Sequence, residues 1–227
     1  MVRVPQSAGS RGSKKWIQKL VNEKPELLNR QISKQLNTSQ NELIRWVSPL
    51  KHDKYAEYSD QESLNLLGIE LKERSLSSFW PLGGPQWDAL GMSNSGRFFF
   101  VEAKSHISEL FSCVGAKDEK SLSLIRKSLA ETKRYLSPNS PVDWSRGFYQ
   151  YANRLARLYL LRTLNHKAAH LVLVYFLNDA EMAGPRSISE WKSAIELLRT
   201  FLGIRRNKLQ KDILDIFIDV TELCNRT

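Results

Sequence analysis

The chain has 227 residues, enough to bury the core of one main domain with a small extension. Lys and Arg outnumber Asp and Glu by 34 to 24, a net charge of +10 that excludes an acidic solvating chain and suits a polyanionic partner. Cys113 and Cys224 form no CxxC and no His pair stands at ligand spacing, which excludes a disulfide scaffold and a structural zinc site; with no membrane-length apolar run, a reduced cytoplasmic protein is expected.

Residues 1 to 13 are rich in Gly, Ser and Arg and predict a disordered tail. From Lys14 to Leu50 the pattern is helical: Trp16, Ile17, Leu20 and Val21 share one face, and Pro25 opens a second element. Residues 14 to 50 therefore read as an N-terminal helical extension, with 51 to 227 as the main domain. Within the extension, "RQISKQLNTSQNELIRWV" carries Ile32, Leu36, Leu43 and Trp46 at a spacing similar to a helix-turn-helix. Gln40, Asn41 and Arg45 would then lie on a recognition helix. A plain helical pair packed on the main domain is the preferred reading of so short a pattern.

A further helix, "ESLNLLGIEL", ends near Gly68. The period then changes: "SLSSFWPLGGPQWDALG" is extended and broken by Pro81, Gly83, Gly84 and Pro85. The turn "SNSG" leads into the strand "RFFFVEAK", so the two segments predict an antiparallel hairpin. Two long helices follow, "KDEKSLSLIRKSLAETKRYL" and "DWSRGFYQYANRLARLYLLRTL". "HLVLVYFL" is apolar on both faces, as a central strand covered by helices requires. "SISEWKSAIELLRTFLG" is an amphipathic helix with Ser187 or Ser189 as N-cap and Gly203 as its stop. "DILDIFIDV" is a last strand. The order predicts an α/β fold, a mixed central sheet flanked by helices.

The chemistry concentrates at the end of "RFFFVEAK". Side chains alternate along a strand, so Glu102 and Lys104 share one face. Acid-x-Lys occurs five times in the chain, but only Glu102 and Lys104 end an apolar strand. A hairpin turning about Ser95 puts Asp88 opposite Glu102 and Leu90 opposite Phe100. Paired residues in such a ladder have Cβ atoms roughly 4.5 to 5.5 Å apart. Two carboxylates that close repel unless one is protonated or a cation lies between them. A hard divalent ion held by oxygen ligands resolves the conflict, and Lys104 could hold a water or stabilise developing negative charge. The bland alternative is an ion pair at a strand end.

Asp88 on one strand and Glu102-Ala103-Lys104 on the next resemble the PD-(D/E)XK nuclease superfamily, the restriction-endonuclease-like fold, over roughly Tyr58 to Phe176. Trp87 stands before Asp88, where the family pattern has proline. The resemblance implies an α-β-β-β-α-β core, here with an extra C-terminal helix and strand. It implies a metal-dependent deoxyribonuclease in which Asp88, Glu102 and the Ala103 carbonyl hold Mg²⁺, with Mn²⁺ as a substitute, while Lys104 orients the attacking water. It adds Glu57 as a further acid before the sheet and Gln150 and Asn153 as polar residues of a helix beside the site. His106, directly after the strand, is a weaker candidate for touching substrate. Double-stranded DNA is the expected partner, no membrane is involved, and a homodimer stays open. The competing class is a non-catalytic DNA-binding protein that uses the helix-turn-helix-like segment.

Overall fold

The computed structural model describes residues 3–38 and 42–224. Five strands form one mixed sheet: β2 (Ile44–Ser48), β4 (Ala89–Ser93), β5 (Phe98–Lys104), β6 (Ala169–Leu177) and β7 (Ile213–Asp219), side by side in that order. β2 pairs antiparallel with β4 and β4 antiparallel with β5, whereas β6 runs parallel to β5 and β7 parallel to β6. A separate two-residue pair joins β1 (Arg3–Val4) to β3 (Glu57–Tyr58).

Strand parity sorts the sheet into two faces. Phe99, Val101 and Ala103 of β5 pack with Val172, Val174, Leu214 and Ile216 under α1 (Gly12–Glu23) and α2 (Pro25–Leu36), which contribute Trp16, Leu20 and Ile32. Phe100 points the other way, with Leu171, Leu173 and Tyr175. It meets the layer built by α3 (Asp60–Leu66), α4 (Leu76–Phe79), α5 (Glu119–Leu136), α6 (Tyr149–Tyr159) and α7 (Ile188–Leu202). Every residue of β6 is buried, so both its faces are covered, as its continuous apolar run requires. A short α8 (Val220–Cys224) follows β7. Glu102 and Lys104, by parity, lie on the α3–α7 face.

Several expected boundaries are met. Ser187 caps α7, which stops at Gly203 in the left-handed region (φ 75°). Ser93 and Gly96 close the β4–β5 turn, where Gly96 has φ 81°. The hairpin register pairs Leu90 with Phe100, as expected.

Two expectations are corrected. Residues 44 to 48 are a strand, not part of a helix. The left-handed Asn37 (φ 52°) ends α2, and Trp46 then lies across Gly91 of β4, where an added Cβ would come 2.8 Å from the indole. A helix-turn-helix is therefore excluded: Arg45 is on an edge strand, and Gln40 and Asn41 lie outside the described residues. The segment 14–50 supplies an edge of the sheet and the helices over one of its faces. The expected disordered tail is also structured from Arg3. Its guanidinium pairs with Asp53, the Gln6 amide donates to the Lys54 carbonyl at 2.9 Å, and the Gly9 amide donates to Gln18 at 2.8 Å. These partners lie far along the chain or on the helix that follows, so the tail's own composition does not reveal them. One start also moves: Gly147 (φ 75°) delays α6 to Tyr149 instead of the neighbourhood of Asp143.

Candidate active site

The β4–β5 hairpin carries the acids. Just before β4, the Asp88 amide donates to the Val101 carbonyl at 3.1 Å and extends the ladder by one residue, opposite Glu102. The Asp88 carboxylate turns back on the partner strand, where Oδ2 accepts the Ala103 amide at 2.7 Å. Ala103 thus meets Asp88 through its N–H, whereas its carbonyl was the expected contributor. Burial pushes Asp88 up to about 8, with repulsion from Glu102 adding to the rise; Lys104 offsets only part of it. Asp88 is therefore mostly protonated at neutral pH, one of the two ways of relieving a close acid pair.

Glu102 and Lys104 lie deeper, 4 % and 9 % exposed. Lys104 Nζ donates to Glu102 Oε1 and, at 2.7 Å, to Gln150 Oε1 of α6. On the other side, Arg154 Nε donates to Glu102 Oε2 at 2.7 Å. Burial alone would raise Glu102, yet Arg154 and Lys104 together hold it below its ordinary value. Arg154 also donates to the Gln86 carbonyl at 2.8 Å and to Asn153 Oδ1 at 3.0 Å, and its guanidinium lies 4.7 Å from the Trp87 ring centroid. One side chain of α6 thereby fastens the acid of β5 to the segment that delivers Asp88.

A cleft of about 730 Å³ opens beside Asp88, lined also by Glu57, Gln86, Gln150, Asn153 and Arg154. Glu102 and Lys104 line instead a void of about 20 Å³ behind Gln150 and Arg154, together with Tyr151 and Tyr175. The three charged groups do not open on one solvent-reachable point: Asp88 reaches the cleft and the other two lie beneath it.

Glu57 of β3 does face the cleft. Its Oε2 accepts Gln86 Nε2 at 2.7 Å and Gln6 Nε2 at 3.3 Å, and burial raises its pKa, with a smaller contribution from Glu102. Gln150 and Asn153 sit where expected, the first on Lys104 and the second on Arg154. His106 does not join them. Its ring is held within its own turn by Ser108 Oγ and by Glu109, 3.1 Å from Nε2.

Sequence reasoning missed Arg154 and Asp60 as organisers. Arg154 left a signal: on a helix where every residue from Tyr151 to Tyr159 is buried, a cation requires an acid partner. Asp60, itself buried, accepts the amides of Gly83 at 2.8 Å and Gly84 at 2.9 Å and so shapes the rim of the cleft.

Among the described residues, no group of three or more His, Cys, Asp or Glu side chains is arranged to hold a metal ion. Of the acids lining the cleft, Asp118 is spent on capping α5, and the carboxylates of Asp88 and Glu57 are oxygen ligands of the kind a hard cation takes, with water and phosphate oxygens completing its shell. Their mutual repulsion with Glu102 is of the sign a cation relieves. Glu102 itself fits as a ligand only by giving up Arg154.

The chain matches no family model, no curated protein and no solved structure.

Proposed function

We propose that the protein is a Mg²⁺-dependent nuclease of PD-(D/E)XK type that hydrolyses DNA phosphodiester bonds. The observation that carries this reading is the hydrogen bond from the Ala103 amide to Asp88. It holds an acid whose pKa burial has raised at the mouth of a cleft, directly over the Glu102-x-Lys104 strand end. The chain order supports it as well. Helices α1–α2, strands β2, β4 and β5, helices α5–α6 and strand β6 follow one another as α-β-β-β-α-β, with α3 and α4 inserted between β2 and β4. The first strand of that core is β2, from outside the span to which the sequence resemblance pointed.

In this reading Asp88 and Glu57 would hold the metal, with the Ala103 carbonyl, or Glu102 once released by Arg154, completing the set. When bound, the ion polarises the phosphate and stabilises the leaving oxygen. Lys104 already donates two of its three hydrogens, to Glu102 and Gln150. The third is left to hold a water in the small void that Lys104 lines beneath the cleft. Arg154 keeps Glu102 ionised and fixes the entry to Asp88. The net charge of +10 draws the DNA backbone without reading bases.

Supercoiled plasmid and short duplexes incubated with Mg²⁺, Mn²⁺ or Ca²⁺ test the reading. Cleavage with Mg²⁺ or Mn²⁺ that disappears in Asp88→Asn is expected; no cleavage in any metal would overturn it. One observation favours a second reading, a non-catalytic DNA-binding protein: Glu102 is already neutralised by two cations of its own chain. Salt-sensitive DNA binding without cleavage in the same series would select it.

A further inference from the structure

One rim of the cleft is a loop from Pro81 to Pro85 between the buried Trp80 and Trp87. It is fastened at three places. The Asp60 carboxylate holds the consecutive amides of Gly83 and Gly84. A Cβ at Gly84 would come 2.6 Å from Asp60 Oδ1 and 3.1 Å from Arg157 Nη2, so the loop lies directly on these groups. Arg157, 2 % exposed, backs Asp60 at 3.9 Å. Downstream, the Gln86 carbonyl is held by Arg154 and its side chain by Glu57. Proline at 81 and 85 fixes φ at either side.

At the tip of this pinned loop Leu82 is 87 % exposed, more than any other large apolar residue described. A lone exposed leucine on a free loop needs no explanation. Here the backbone around it is immobilised by buried charge, glycine geometry and proline, and it stands on the rim of the cleft that Asp88 lines. A rigid support that presents one branched apolar side chain to solvent beside an anion-handling site is the form of a wedge.

We propose that Leu82 inserts between adjacent base pairs of duplex DNA, next to the phosphate brought to Asp88; this rests on the nuclease reading above. The surface charge supplies attraction to the backbone, and the leucine supplies the local unstacking. Leucine makes no hydrogen bonds to base edges, so the contact favours steps that unstack readily, pyrimidine–purine steps above all, and carries no other sequence preference.

The test uses closed circular plasmid relaxed by a metal-independent topoisomerase in chelator, where the protein cannot cut, with a gel-shift assay alongside. Wild-type protein is expected to shift the topoisomer distribution in proportion to the amount bound, because insertion unwinds the helix. Leu82→Ala and Leu82→Ser, which remove no packing, are expected to bind plasmid but to lose at least about three quarters of the shift. Equal shifts by wild type and both variants, or binding by wild type with no shift at all, would overturn the wedge while leaving the nuclease reading intact. Failure of wild type to bind plasmid at low salt would overturn both.

Discussion

Arg154 of α6 and Glu102 of β5 meet as a buried ion pair, with Nε 2.7 Å from Oε2 and both side chains almost fully covered. Removing one partner of such a pair leaves an uncompensated charge, which costs about 3–5 kcal/mol. Lys104 remains beside Glu102, so Arg154→Gln is expected to destabilise by about 3 kcal/mol in urea denaturation. A loss below about 1 kcal/mol would mean that the guanidinium does not anchor the acid.

Asp88 makes stability depend on pH in a defined direction. Its folded value is raised to about 8 from an ordinary 3.8 by burial first and by Glu102 second. A carboxyl raised on folding contributes stability that is fully present below the unfolded value and is lost as pH rises through the folded one. Relative to Asp88→Asn, the wild type should therefore lose stability steadily between about pH 4 and pH 8, measured in chelator. Parallel pH profiles for the two proteins would show that Asp88 ionises in the fold as it does in water.

Gly84 has no room for a side chain, since a Cβ would press on Asp60, Trp80 and Arg157. Gly84→Ala is expected to cost about 1–3 kcal/mol through overpacking. Gly115→Ala, with nothing within 4 Å of the added carbon, should stay within about 0.5 kcal/mol. Thermal unfolding of both variants separates the two; equal melting temperatures would refute the tight seating of the loop.

His106 follows β5 in sequence yet is absorbed by Ser108 and Glu109. His106→Ala should leave cleavage of plasmid within about twofold of wild type. A loss of a hundredfold would place the imidazole in the chemistry after all.

The hairpin was legible because its signals are local. The SNSG turn fixes the register, and strand parity then assigns Asp88, Glu102 and Lys104 to one face without further information. The Ser187 cap and the Gly203 stop of α7 were legible for the same reason. The strand at Ile44–Ser48 was not, because Trp46 is buried by Gly91, a partner whose missing side chain carries no periodic signal of its own. Nor was the depth of Glu102: its burial depends on Arg154 and Gln150, which the fold brings in from a helix that begins well after the strand.

The role of Lys104 tests the central claim most directly, because the nuclease reading assigns it to chemistry and the ion-pair reading assigns it only to Glu102. Lys104→Met retains length and apolar contacts but removes the charge, so metal titration by calorimetry and single-turnover cleavage can be compared on one folded variant. The account predicts metal affinity unchanged or higher and cleavage depressed by about 10² or more. Cleavage at the wild-type rate by a Lys104→Met protein of native circular dichroism would contradict it.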